Sequence, residues 1–219
     1  MTEKHISRRD CLKLALAGGA SLLLPEASAQ NTFQTAHITE PAQPQRQLYQ
    51  LEERYRGFDR SVALRLRRIG RRSAPQMKRD IFQGYYLDKG VLVPEAYSQI
   101  CYAFRDWRLG EHDGVVQIDI NLLNLMAAIQ IHLDRVTGRQ TEYLLTSGYR
   151  SPRTNAGIEG AAKNSLHMRG MAGDVVVPGV PIEYLNRLAL YFQTGGVGLY
   201  SRSQFVHMDS GRFRSWKGN

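Results

Sequence analysis

Ser165-Leu166-His167-Met168-Arg169-Gly170-Met171-Ala172-Gly173-Asp174 is the stretch on which the reading of this chain turns. His167 and Asp174 stand seven residues apart, too far for one helical turn, where side chains four apart share a face. Glycines at 170 and 173 lie between them. That spacing predicts a loop that carries His167, folds tightly through Gly170 and enters a strand near Ala172. Asp174 then heads the apolar run Val175-Val176-Val177. A second histidine follows in Gln204-Phe205-Val206-His207-Met208-Asp209, a stretch that reads as a short neighbouring strand. Adjacent strands of one sheet would aim Asp174 and His207 at the same spot, and the loop would deliver His167. Two imidazoles and one carboxylate make an N,N,O set suited to zinc as a three-ligand catalytic site with its fourth position open.

Working outward, period 2 over residues 62–67 and a strand-like run over 77–85 predict a hairpin across a basic turn. Helical periodicity covers 94–108, with Pro94 near its first turn. The clearest helix is 119–137, with Ile120, Leu123, Met126, Ala127, Ile131 and Val136 on one face and Gly138 as its stop. A strand is expected at 142–146, a second long helix at 181–193 with Leu185, Leu188, Ala189 and Phe192 inward, and short strands at 197–200 and 205–208. Helices before and between adjacent strands point to an α+β fold, an antiparallel sheet flanked by helices.

Residues 1–29 read as an export signal of the twin-arginine kind. Ser7-Arg8-Arg9-Asp10-Cys11-Leu12-Lys13 precedes a short glycine-interrupted apolar run, and Ala27-Ser28-Ala29 offers a cleavage site. The run is too short to span a bilayer, so no stable membrane insertion of the mature protein is expected. Residues 30–60, rich in Gln, Thr, Pro and Glu, read as a flexible mature N-terminus, and 61–219 as one domain with its own core. The chain carries 29 Lys and Arg against 20 Asp and Glu, a net charge of +9. An exported basic protein points to the anionic cell wall before nucleic acid, and neither a helix-turn-helix nor a zinc-finger pattern is present. Arginines 65, 67, 68, 71 and 72 form the densest basic cluster, read either as a wall-binding patch or as a solvated strand face and turn. With Cys11 lost in the leader, Cys101 has no disulfide partner; its helical spacing from Tyr97 and Phe104 predicts a buried, inert thiol.

In Thr146-Ser147-Gly148-Tyr149-Arg150-Ser151-Pro152 a strand ends, a glycine bends the chain and an arginine is presented at the sheet edge. Arginine suits bidentate recognition of a carboxylate and stabilisation of a developing oxyanion. The alternative is that Arg150 caps the strand end.

Ser165-x-His167-x-x-Gly170-x-Ala172-x-Asp174, followed by Gly196-Val197-Gly198-Leu199-Tyr200 and Phe205-Val206-His207-Met208-Asp209-Ser210-Gly211, resembles the peptidoglycan-cleaving zinc peptidases of the D-Ala-D-Ala metallopeptidase superfamily. Their fold is shared with lysostaphin-type enzymes and the hedgehog domain. The nearest branch is the YcbK-type murein endopeptidases. The resemblance implies a hedgehog-like fold, zinc on His167, Asp174 and His207, Arg150 lining the active site, and Ser165 shaping substrate contacts. It implies hydrolysis of peptide bonds in peptidoglycan by zinc-activated water, as an endopeptidase or carboxypeptidase. Many members place an acidic base three residues before the last histidine; here that position is Gln204, whose amide is not basic. Asp209, two after His207 and on the same strand face, is the nearest acidic candidate, either as base or as a partner orienting a ligand histidine. His112 and His132 are further histidines. The ending Gly211-Arg212-Phe213-Arg214-Ser215-Trp216 is similar to the family's, with Trp216 covering the core or stacking on sugar. Loss of the acid at 204 leaves open a second class, an exported zinc-bearing module that binds peptidoglycan without cleaving it.

Overall fold

The computed structural model describes residues 61–69, 80–109 and 113–218. The expected leader, the expected flexible N-terminus, the basic turn with Arg71 and Arg72, and His112 lie outside the described residues. β1 (Val62–Arg68) pairs antiparallel with β2 (Ile81–Asp88), and β2 with the short β3 (Val91–Leu92). Helices α1 (Pro94–Ala103) and α2 (Ile120–Thr137) then lead to β4 (Tyr143–Ser147). A short helix α3 (Pro152–Ala156) and a single 3₁₀ turn (Leu166–Arg169) lead into β5 (Ala172–Val176). After α4 (Ile182–Phe192) come β6 (Gly196–Tyr200), β7 (Phe205–Asp209) and β8 (Arg214–Gly218). Among the described residues the strands form one sheet in the order β3-β2-β1-β4-β5-β7-β6-β8.

The fold is the expected α+β arrangement, with two parallel pairings added to an otherwise antiparallel sheet. β4 lies parallel to β1 because two helices intervene and carry the chain back to the starting end. β8 lies parallel to β6 because the chain leaves β7, antiparallel to β6, and passes to β6's far side. Several boundaries also differ from the sequence reading. β2 runs on to Asp88. α1 stops at Ala103 and not at 108: Asp106 turns its N–H onto the Gly114 carbonyl, 2.9 Å, closing a loop. Gly114 sits so close that a Cβ there would lie 2.3 Å from the Asp106 oxygen.

α2 is set as its sequence directs. The Asp119 carboxylate accepts from Asn121 N–H, 2.9 Å, and Gly138 closes the helix at φ 66°. Its burial exceeds one face, since Leu122, Leu125 and Ile129 are as buried as Leu123 and Met126. Val136, expected inward, is 60% exposed, because the last turn runs out of the core. Leu185, Leu188 and Ala189 of α4 pack on β6 and β7 over Val197, Val206 and Met208. The strand period of two then turns Phe205, His207 and Asp209 to the opposite face. Cys101 is buried, which pushes its thiol up to about 11.

Three arginines of the basic cluster are neutralised within the fold. Arg65 is buried, paired with Asp134 and donating to the Thr141 carbonyl at 2.9 Å. Arg67 meets Glu142 at 3.2 Å and Arg68 meets Asp80 at 3.9 Å. The Arg65 backbone is also served by a side chain. Gln130 of α2 accepts from Arg65 N–H and donates to Arg65 C=O, both at 2.8 Å. β4 pairs with β1 only from Leu66 onward, so Gln130 stands in for the strand that is missing at 65. Gln130→Leu leaves two buried backbone groups unpaired, each costing about 1–3 kcal/mol. Urea unfolding should show a loss of roughly 2–6 kcal/mol at unchanged m; a loss under about 0.5 kcal/mol would refute this role.

Candidate metal centre

Asp174 on β5 and His207 on β7 are direct cross-strand partners. Their side chains therefore leave the same face of the sheet side by side. His167 arrives from the 3₁₀ turn that precedes β5. Ser165 caps that turn, its Oγ accepting from His167 N–H, and Gly170 ends it at φ 66°. A Cβ on Gly170 would lie 2.2 Å from the Gln117 carbonyl oxygen, so the turn closes as it does only with glycine. His207 Nδ1 lies 2.9 Å from Asp174 Oδ1, and His167 Nε2 lies 3.2 Å from each of these atoms. All three residues are buried.

The outer nitrogen of each imidazole fixes its tautomer. His167 Nδ1 donates to the Gly148 carbonyl, 2.6 Å, so Nε2 carries the lone pair. His207 Nε2 donates to Asp209 Oδ2, 3.0 Å, so Nδ1 carries the lone pair. With both imidazoles neutral, two lone pairs and a carboxylate oxygen thus face one another, an arrangement that a metal cation, or a proton on His207 Nδ1, satisfies. Their separations approach the roughly 3.3 Å edge of a tetrahedron with ligand lengths of about 2.0–2.1 Å. The donor set fits a metal ion of the zinc type. The charges follow the same pattern. Burial pushes His167 down. Burial also opposes protonation of His207, but hydrogen bonds to Asp174 and Asp209 outweigh it and hold His207 up. Burial alone would raise Asp174, yet the two histidines hold it well below the usual carboxylate range.

A second layer supports these three side chains. Asp209 is fully buried. Its Oδ1 accepts from Gly196 N–H, Gly211 N–H and Arg214 Nη1 at 2.9–3.0 Å, and its Oδ2 from Arg214 Nη2 at 2.7 Å besides His207. Burial opposes its ionisation, but these donors hold it far below the ordinary range. Arg150 lies over Asp174: its Nη2 donates to Asp174 Oδ2 and its Nε to Ser147 Oγ at 2.8 Å. The segment carrying Arg150 is itself tied down. Tyr149 N–H donates to the Phe104 carbonyl at 2.7 Å and Arg150 N–H to the His167 carbonyl at 3.2 Å. Ser151 N–H donates to Asp106 Oδ2 at 2.9 Å. A Cβ on Gly148 would lie 2.4 Å from the Phe104 oxygen, so this close approach requires glycine.

Five residues named from the sequence thus lie in direct contact: His167, Asp174, His207, Asp209 and Arg150. Ser165 caps the turn beneath His167. Gln204 sits at φ 55° in the turn between β6 and β7, with its amide folded back on the Ser201 carbonyl. His132 is engaged on the α2–α4 contact by Tyr184, 3.4 Å. Trp216 does not cover the core. It lies over Gly198, where a Cβ would meet the indole at 2.5 Å, and beside the His207 ring, centroids 5.1 Å apart. The sequence reading missed the Gly148 carbonyl, Arg214 and Asp106. Arg214 stood visible in the C-terminal motif, but a backbone carbonyl carries no side-chain signature.

A family model described as Peptidoglycan L,D-endopeptidase MepK matches residues 72–216. The Haemophilus influenzae protein named "Probable peptidoglycan L,D-endopeptidase MepK" is 37% identical over 138 residues, spanning 61% of this chain and 70% of that protein. Peptidoglycan L,D-endopeptidase MepK of Escherichia coli K12 is 33% identical over 135 residues, spanning 60% and 70%. The Shigella flexneri protein of the same name gives the same identity and coverage.

Asp106 gives the site's supporting loop an acid sensitivity. Burial would raise its carboxyl, but bonds from Thr154 and Ser151 hold it below its ordinary value. A carboxyl depressed on folding stabilises fully above its unfolded pKa, about 3.9, and loses that contribution as pH falls toward the folded value. Stability measured from pH 5 down to pH 3 should therefore fall more steeply for the wild type than for Asp106→Asn. Equal slopes would show that Asp106 contributes nothing through its charge.

Proposed function

Because the chain belongs to the family of MepK peptidoglycan L,D-endopeptidases, we propose that it is a zinc-dependent peptidase that hydrolyses L,D peptide bonds in peptidoglycan. The observation that carries this reading is the convergence of three acceptor atoms, from His167, Asp174 and His207, on one buried point. Zinc held there would supply Lewis acidity toward the scissile carbonyl and toward water.

The remaining chemistry is assigned to this chain's own groups. His167 and His207 present fixed lone pairs because Gly148 and Asp209 hold their outer N–H groups. Arg150 holds the second oxygen of Asp174 and still has N–H groups beside the centre, where a substrate carboxylate or a developing oxyanion would be met. Asp209 accepts three N–H bonds on one oxygen and two on the other, and its basicity is depressed accordingly. We read it as the residue that orients His207, and not as the base. Trp216 shields the outer face of the His207 ring.

Export completes the proposal. Arg8-Arg9 and Ala27-Ser28-Ala29 support a twin-arginine leader over residues 1–29, which leaves a mature segment over 30–60 ahead of the peptidase domain over 61–219. Among the described residues no helix is long and apolar enough to cross a membrane. The working compartment is then the periplasm or cell envelope, where the substrate lies. Changing Arg8 and Arg9 together to lysine should hold the precursor in the cytoplasm; unaltered processing and export would point to the general secretory route.

Purified sacculi should release peptide fragments with the protein and none after chelation, with activity restored by zinc. Metal analysis should give one zinc per chain, lost in His167→Ala and His207→Ala. Full occupancy in both variants would remove these ligands from the reading. Asp209→Asn separates orienter from base. As an orienter, its loss should weaken zinc affinity about 10- to 100-fold with activity recovered at high zinc. Retained zinc with turnover reduced by about 10²- to 10⁴-fold would instead make Asp209 the base.

A further inference from the structure

His167 is followed three residues later by Gly170, and His207 three residues later by Ser210. Both followers bond to one residue outside the metal centre, Asp119 at the start of α2. Asp119 N–H donates to the Gly170 carbonyl at 2.9 Å. Asp119 Oδ2 accepts from Ser210 Oγ at 2.7 Å. Ser210 N–H in turn donates to the Met171 carbonyl at 3.0 Å, and its Oγ lies 3.4 Å from the same oxygen. The exit of the His167 turn, the exit of the His207 strand and the head of the longest helix therefore meet at one node.

Helix capping explains only half of Asp119. Its Oδ1 accepts from Asn121 N–H at 2.9 Å and from Asn121 Nδ2 at 3.0 Å, which serves the helix end. The helix has no need of the second oxygen, and that oxygen takes a hydroxyl 91 residues away in sequence. α2 is anchored in the core through Leu122, Leu123 and Met126, so its first turn is a rigid reference point. Gly170 is pressed against the same segment, at the Gln117 carbonyl.

We propose that Asp119 and Ser210 are positioning residues for the metal centre, forming a strut from α2 that sets the spacing between the segments bearing His167 and His207. The inference rests on the reading of His167, Asp174 and His207 as metal ligands. β5 and β7 pair from Ala172–Asp209 inward. The strut locks the end of that ladder where the His167 turn enters. Metal sites tolerate only about 0.5 Å of misplacement before affinity suffers, and a strut at this end removes the freedom of the turn to drift.

The test is zinc affinity of the full-length protein, measured under native conditions by competition with a chromophoric chelator. Ser210→Ala removes the strut and leaves the helix cap. Asp119→Ser keeps a capping oxygen but is too short to serve both partners. Each should weaken zinc binding by about tenfold, the lower end of the range for groups that orient ligands. Ser210→Thr, which keeps the hydroxyl, should restore wild-type affinity. Lowered melting temperatures with unchanged zinc affinity in Ser210→Ala and Asp119→Ser would reduce the node to a stability feature and overturn the proposal. A wild-type protein that fails to compete for zinc would sink the metal-centre reading itself, and this inference with it.

Discussion

With both histidines neutral, three hydrogen-bond acceptors share one buried point without a donor between them. Such a meeting is unfavourable for a protein on its own, because a carboxylate and two lone pairs are withdrawn from water and left facing one another. It holds only if every alternative is closed off. The His167 ring would otherwise turn, but its Nδ1–H is committed to Gly148. His207 would flip, but its Nε2–H is committed to Asp209. Asp174 would rotate, but Arg150 holds its other oxygen. The rest of the site follows from the need to fix these three groups.

That need explains features of the fold that packing alone does not. β8 runs parallel to β6 at the sheet edge and brings Arg214 onto Asp209. Gly196 lies directly beneath this pair: a Cβ there would meet Arg214 Nη1 at 2.2 Å and Asp209 Oδ2 at 2.5 Å. One strand position further along the same face, Gly198 makes room for Trp216. Glycines on this face thus replace a layer of side chains with a layer of oriented donors and one indole. The opposite face of the same strands is ordinary core, Val197, Val206 and Met208 against α4. One sheet therefore serves two environments, apolar on the helix side and polar on the side of Asp174 and His207, and the period of two keeps them apart.

Much of this was legible in the residues. His167, Asp174 and His207 were found by residue type and by the glycines between them. The long helix was framed by Asp119 and Gly138, and α4 by its apolar spacing. What was harder to see involved second partners. Asp209 was visible as an acid on the right strand face, but that both its oxygens are occupied depended on Arg214 and on two backbone N–H groups from other segments. Arg150 was visible at a strand end, but its rest on Asp174 depends on the register of β4 against β5, which carries an irregularity between Leu145 and Ser147. The arginines at 65, 67 and 68 looked like a basic surface because their partners, Asp134, Glu142 and Asp80, lie 12 to 75 residues away in sequence.

The sequence by itself determined the donor types, the elements that carry them and the face on which each side chain leaves its strand. These are local properties, set by strand and helix periods and by glycines where the backbone must turn. The tertiary structure alone decided which partner each histidine nitrogen meets and which donors each carboxylate oxygen receives. It also decided that the head of α2 is bonded to both of the segments that carry His167 and His207. Those outcomes depend on hydrogen-bond partners from distant parts of the chain, many of them backbone carbonyls and amides that every residue possesses, and only the packed sheet selects among them.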